Sequence, residues 1–410
     1  MSAVFKIQGV LKNYDWGKIG LNSFACKLYK SAFSDFKVND VAPYAELWLG
    51  THPSGPSVIP SLGGMTLMDW ISDHPECLGQ NITNLFDKTK GLPFLFKVLS
   101  VNKSLSIQAH PDKQTAVKLF KQNPDCYPDD NHKPEMAIAL TDFEALCGFR
   151  PISEIMIFLK EIPEIQKVVG KEIISEFLKT ENRDTFKSLF RALMTCPAEI
   201  YQPLLSEVVQ NFKLDKYHGD LCKSVSNLFL RVSDEYPGDI GLFCIFFLNY
   251  LKLKCGEAVF LAANEPHAYL YGDCIECMAC SDNVVRAGLT PKFRDVYTLC
   301  DILTYNCKPG NENIFQSTVN SNDPLVKTYN PPVEEFTIDK ISLSSDYKAY
   351  ALKVLASASI LLVVSGEATY KHKSEEQLLH PGTALFISSQ AEIYLNPISE
   401  LLIFRAYCCN

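Results

Sequence analysis

Two stretches 126 residues apart limit what this chain can fold into more than any other feature. CGEAVFLAANEPH, ending at His267, and PGTALFISSQAEI, ending at Ile393, align without gaps. Gly256 meets Gly382, Ala258 meets Ala384 and Phe260 meets Phe386. Both read as a glycine turn followed by a strand. Upstream, EALCGF around Gly148 resembles LVVSGE around Gly366; about 108 residues separate the landmarks in the first copy and about 16 in the second. The simplest architecture is a pair of related β-barrels with a segment inserted in the first.

The texture of the chain says what is inserted. Residues 1–150 read as short strands between frequent Gly and Pro turns, for example VFKIQGVLKNY, PFLFKVLS and EMAIAL, with one helix at DKQTAVKLFKQN entered through Asp112. From 151 to about 252, apolar residues recur at three- and four-residue spacing, the helical period. IGLFCIFFLNYL, inside that block, reads as a buried helix too short to span a bilayer. Strands return at 253, residues 306–335 look like a connector rich in Asn and Pro, and alternation resumes to the end. The expected fold is mainly β with an α-helical insertion. A discontinuous first unit covers 1–150 and 253–325, the helical unit 151–252, and a C-terminal β unit 326–410. His267 falls opposite Ile393 in the repeat, so only the first unit is expected to keep a ligand there.

The chain has 410 residues, enough for two or three units. Its net charge of -8 and pI near 5.6 argue against a general nucleic-acid binder. An anion site must then be built from a few local cations. No membrane span and no signal peptide are expected: MSAVFKIQGVLKNYDWG lacks a long apolar core. Fifteen cysteines without a signal suggest reduced thiols in the cytoplasm. NIT at 81–83 and NKS at 102–104 are then chance glycosylation matches.

The residues richest in chemistry are Gln108, His110, Glu135 and His267. In SLSIQAHPDK, Gln108 and His110 are two apart, which on a strand aims them to one side. Glu135 opens the strand of NHKPEMAIAL, and His267 closes the repeated segment. Two imidazoles and a carboxylate suit a divalent transition metal, and a neutral amide as fourth ligand would preserve its Lewis acidity. The same residues could instead be separate buried polar groups, or a 2-His-1-carboxylate iron site. Cys274, Cys277 and Cys280 cannot converge, because on a strand Cys277 points away from the other two. Glu276 shares the face of Cys274 and Met278, where a carboxylate needs a partner. Arg286, Lys292 and Arg294 in an expected loop, with Lys97, Ser106 and Lys133, suit an anionic substrate such as a phosphate ester. His52 and His132 read as supporting residues.

YDWGKIG, PYAELWLGTHPSG, LPFLFKVLSVNKSLSIQAHPDK, NHKPEMAIAL, ANEPHAYLYGDCIECMACSDNVVRAGLTPKF and LLIFRAY together resemble type I phosphomannose isomerases of the eukaryotic kind. The resemblance implies a metal-bearing cupin, a helical domain and a second cupin without metal ligands. It implies one Zn²⁺ per chain on Gln108, His110, Glu135 and His267, and a catalytic Arg286. Glu276 or Lys133 would be the base, with Ser106, Lys97, Tyr269 and Lys292 lining the substrate pocket. The implied reaction interconverts mannose 6-phosphate and fructose 6-phosphate through a cis-enediol, supplying GDP-mannose synthesis and protein glycosylation. A cytoplasmic monomer binding a phosphorylated hexose, and neither nucleic acid nor membrane, is expected. One departure is Tyr271 in YLYGD, where the family pattern has a small residue. It could narrow the pocket or turn outward before Gly272.

Overall fold

The computed structural model describes residues 3–408; positions 1–2 and 409–410, at the ends of the first and last expected units, lie outside them. An eleven-stranded sheet dominates the first β region, and a seven-stranded and a four-stranded sheet make up the last. No sheet closes on itself among the described residues. In the last region the two sheets face each other instead. Ile341, Leu361, Val363 and Ile403 from the larger, with Tyr370, Leu379 and Leu395 from the smaller, share one core.

The sequence repeat extends into the hydrogen-bond ladders. In the first unit, Glu135 pairs with Leu261, Ala137 with Glu276, Glu276 with Lys97, and Lys97 with Trp48. In the second, Ser359 pairs with Ile387, Leu361 with Arg405, Arg405 with Asp339, and Asp339 with Thr328. Five strands thus repeat in order and in register. A one-residue slip would have exchanged the faces of every side chain. The glycine landmarks agree: Gly256 and Gly382 have φ of +87° and +85°, and Gly148 and Gly366 +65° and +83°. At those angles a side chain is strained, which accounts for glycine surviving in both copies.

One charged pair is inverted between the copies. The Lys97–Glu276 register position of the first unit is Asp339–Arg405 in the second. Arg405 is buried, its Nε donates to Ser359 Oγ at 2.9 Å, and burial lowers its pKa to about 10.

The two β units are joined back to back. Phe94, Phe96, Val98 and Ile275 of the first pack with Ile360, Leu362, Phe386 and Phe404 of the second. A strand exchange also crosses the join, because Val4–Ile7 pairs in register with Ala384–Ile387 as an edge strand of the C-terminal sheet.

Six α-helices lie between Ile152 and Glu235. Arg183–Met194 begins with a capping box between Asn182 and Thr185, worth roughly 1 kcal/mol. Its Phe186, Leu189, Phe190 and Leu193 fall at helical spacing and are buried. IGLFCIFFLNYL corrects the expectation of an α-helix. Ile240–Phe246 is a fully buried 3₁₀ segment, and Leu248–Leu253 is a strand paired with Phe143–Phe149. A wholly apolar run has no period that separates helix from strand. Asn249 decides it by bonding the carbonyls of Phe149 and Lys308 at 2.9 and 3.1 Å.

The helical core also explains what the insertion does for the sheet. Ile107, Ala109, Ala268, Leu270, Val285 and Ala287 belong to the same apolar cluster as the helices. Gln108, His267 and Arg286 alternate with them and therefore face the other way. No helix among the described residues is long and apolar enough to cross a membrane. The cysteines among the described residues are free.

Candidate active site

Three strands deliver the candidate ligands. Ile107–Ala109 carries Gln108, with His110 just beyond; Glu135–Ala139 begins with Glu135; His267–Ala279 begins with His267. Gln108 and His267 are ladder partners, and so are Gln108 and Arg286. Arg286 therefore lies on the strand Val285–Gly288 and not in the expected loop. Gly288 and Pro291 suggested a loop, but the apolar Val285 and Ala287 tie the segment to the helical core.

His110, Glu135 and His267 are all buried and form the one group among the described residues whose ligand atoms could share a metal ion. Glu135 Oε2 lies 3.3 Å from His110 Nε2 and 3.6 Å from His267 Nε2. His110 Nδ1 lies 2.8 Å from the Asn283 carbonyl and His267 Nδ1 lies 3.0 Å from that of Glu265. A carbonyl only accepts, so each Nδ1 carries the proton and each Nε2 offers its lone pair inward. His110 Nε2 is buried without a hydrogen-bond partner, as a vacant ligand would be. Burial lowers the His110 pKa to about 4, which keeps the ring neutral at physiological pH. Burial alone would raise the Glu135 carboxyl; Lys133 at 3.0 Å and then His110 override it and hold it well below its usual range.

Gln108 Nε2 is 3.4 Å from His267 Nε2, and its Oε1 accepts from Ser106 Oγ at 3.2 Å. A half-turn of the amide, indistinguishable in shape, aims the carbonyl oxygen at the imidazoles and the NH₂ at Ser106. The donor set then fits a divalent cation.

A second charged group lies deeper in the same interior. Lys97 Nζ sits 2.9 Å from Glu276 Oε2 and 3.4 Å from Glu46 Oε2. Burial opposes the ammonium, but Glu276 and then Glu46 outweigh it and raise its pKa. Burial raises Glu276; Lys97 pulls it down, and the nearby Glu135 and Glu46 carboxylates add to the rise. Lys97 was expected to touch substrate, yet its ammonium is engaged by carboxylates on both sides. It supplies the partner that Glu276 needed. The sequence reading missed Glu46, whose signal was a carboxylate in the apolar run AELWLG. Its other partner is the Trp48 indole N–H.

Tyr269 is buried with its hydroxyl unpartnered among the described residues. Arg286 is half-buried and makes no ion pair among them, and burial draws its pKa down from the ordinary value. Lys292 is exposed in the bend that follows the Arg286 strand. Tyr271 is 41% exposed, with Lys18 Nζ 5.0 Å and Arg231 5.9 Å from its ring centre. It turns outward. His52 meets Asp282 at 3.6 Å, and His132 joins Glu335 of the C-terminal unit at 2.5 Å.

The C-terminal unit carries different chemistry at the matching positions. Leu352 N donates to the Ile393 carbonyl at 2.9 Å, extending the ladder that pairs Tyr350 with Leu395. Leu352, Ser359 and Ile393 thus stand where the first unit has Gln108, Glu135 and His267.

The chain matches family models described as phosphomannose isomerase type I over three segments. The catalytic domain covers residues 4–152, the helical insertion domain 165–248 and the C-terminal domain 328–371. It is 44% identical over 418 residues to a mannose-6-phosphate isomerase of Mus musculus, covering 99% of this chain and 98% of that one. It is 42% identical over 405 residues to mannose-6-phosphate isomerase 1 of Arabidopsis thaliana, covering 97% and 92%. A variant phosphomannose isomerase from Salmonella typhimurium superposes with a TM-score of 0.84 at 30% identity, covering 99% of this chain and 100% of that one. A zinc-bound mannose 6-phosphate isomerase gives 0.83 at 30%, with the same coverage.

Proposed function

This chain belongs to the type I phosphomannose isomerase family, and from that premise we propose that it interconverts mannose 6-phosphate and fructose 6-phosphate with one zinc ion. The observation that carries the reading is the buried His110–Glu135–His267 group, with both imidazole Nε2 atoms directed at one carboxylate oxygen. Gln108 would complete the ligand set.

The isomerisation moves a proton from C2 of the open-chain aldose to C1 through a cis-enediol, while negative charge gathers on the C1 and C2 oxygens. Zinc, when bound, supplies Lewis-acid stabilisation of such charge. Arg286 supplies a fixed cation paired across the ladder with Gln108, with no carboxylate partner among the described residues. Glu276 is the better candidate for the base. Burial raises its pKa toward the working range, whereas the Lys133 ammonium is held by Glu135. Lys97 fixes the Glu276 carboxylate in place. Tyr269 and Lys133 line the sugar, and Ser106 and Lys292 receive the phosphate, which positions the reacting carbons.

In this reading each β unit is cupin-type, with open sheets and no closed barrel among the described residues, and the unit boundaries are 1–150 with 253–325, 151–252 and 326–410. The helical unit buttresses the strands that carry Gln108, His267 and Arg286. The enzyme is a cytoplasmic monomer whose mannose 6-phosphate supplies GDP-mannose synthesis and protein glycosylation. A coupled assay for fructose 6-phosphate tests the reaction. Activity should vanish after chelation and return with zinc; turnover that survives chelation refutes the metal reading.

A further inference from the structure

His110 takes its orientation from a backbone carbonyl, that of Asn283, which no substitution can remove. What holds that carbonyl is therefore a part of the metal centre. Asn283 is fully buried, and its Nδ2 donates to the Asp129 carbonyl at 2.7 Å, to Asp129 Oδ1 at 3.1 Å and to the Asn131 carbonyl at 2.9 Å. Asp129 also gathers the rest of the 281–283 segment. Its Oδ1 accepts from Ser281 Oγ at 2.8 Å and its Oδ2 from the Asp282 N–H at 2.7 Å. In return, Asn131 Nδ2 donates to the Cys280 carbonyl at 3.1 Å. The two segments lie outside helices and strands, and these side-chain bonds tie one to the other.

The clasp touches the centre at two points. One segment presents the carbonyl that holds the proton on His110 Nδ1. The other runs four residues from Asn131 to Glu135 through Lys133, whose ammonium is 3.0 Å from Glu135 Oε1. Displacing 129–131 against 281–283 moves a histidine ligand relative to the carboxylate it must share a metal with. We propose that Asp129 and Asn283 are positioning residues that set the metal affinity of this site by clasping the two segments together. Groups that orient metal-ligating histidines typically carry 10- to 100-fold in affinity. The proposal rests on the zinc reading above.

Wild type and the variants Asn283→Ala, Asp129→Ala and Ser281→Ala are titrated with zinc against a chromophoric chelator, and each apo form is melted in parallel. Asn283→Ala and Asp129→Ala should bind zinc 10- to 100-fold more weakly. Ser281→Ala, which keeps the three Nδ2 bonds of Asn283 and, among that residue's bonds, loses only the one from its backbone N–H to Ser281 Oγ at 3.2 Å, should lose only a few-fold. Cobalt-loaded Asn283→Ala should show a shifted visible absorption band, because the imidazole is no longer held at one angle. Excess zinc should restore most of its kcat. Unchanged affinity in a folded Asn283→Ala variant overturns the clasp. So does unchanged affinity in a folded Asp129→Ala variant, whose carboxylate gathers the 281–283 segment. A wild type that binds no zinc refutes the underlying metal reading instead, and the two failures are thus distinct.

Discussion

Replacing Lys97 with methionine removes the ammonium between two buried carboxylates and keeps the aliphatic volume. Taking an effective dielectric of about 20, the separations of 2.9 and 3.4 Å correspond to attractions of about 6 and about 5 kcal/mol. Several kcal/mol of ammonium desolvation oppose them. The intact cluster therefore contributes little net stability, yet the deletion leaves Glu276 and Glu46 buried and facing no cation. Breaking such a pair costs about 3–5 kcal/mol. The cost should depend on pH. Glu276 already has a raised pKa from burial, and losing Lys97 raises it further. A carboxyl raised in the folded state binds its proton more tightly there than in the unfolded chain. Stability therefore falls as pH climbs from the ordinary carboxylate value through the raised one. Urea unfolding of the metal-free protein at pH 5.5 and pH 8 measures this. Lys97→Met should be destabilised at both, and more at pH 8. The Lys97→Met, Glu276→Gln double variant should recover at least half of the loss and flatten the pH difference. A single variant within 1 kcal/mol of wild type at both pH values would refute the cluster's role, and so would a cost that grows toward acid.

Three other substitutions probe separate links. His267→Ala should abolish stoichiometric zinc and activity together, measured by metal analysis and turnover. Arg286→Ala should lower kcat by about 10²–10³, the usual cost of one donor to a developing oxyanion, while KM changes far less. An effect mainly on KM would make Arg286 a binding residue. Tyr271→Ala should leave kcat/KM within about twofold, since the ring lies outside among Lys18 and Arg231; a large change would return Tyr271 to the pocket.

The grouping of His110, Glu135 and His267 was partly legible: strand parity pairs Gln108 with His110 and the repeat singles out His267, but spacing left separate buried groups open and the family resemblance supplied the set. The partnership of Lys97 and Glu276 was half legible. Both residues lie inward on strands, but only the ladder between Phe94–Val101 and His267–Ala279 places them opposite each other. Glu46 and Asn283 lie within stretches that carry the resemblance, but no spacing reveals their roles or that of Asp129; they matter through an ion pair and through hydrogen bonds across up to 154 positions of sequence. The 240–253 run deceived because an all-apolar segment is silent about its period. Tyr271 could not be aimed from parity, since the ladder with Phe143–Phe149 shifts register beside it.

The edge strand Val4–Ile7 has a consequence for the order of events at the ribosome. Its partner, Ala384–Ile387, is made only after the first β unit and the helical block have been synthesised. At roughly 5–20 residues per second, the first strand waits some tens of seconds before its mate emerges. Throughout that interval Phe5 and Ile7 have no sheet to join, although the strands around Lys97 and the helical block can already be assembling. The seal between the two halves therefore waits on the C-terminal unit: no earlier part of the chain, however well folded, can complete it.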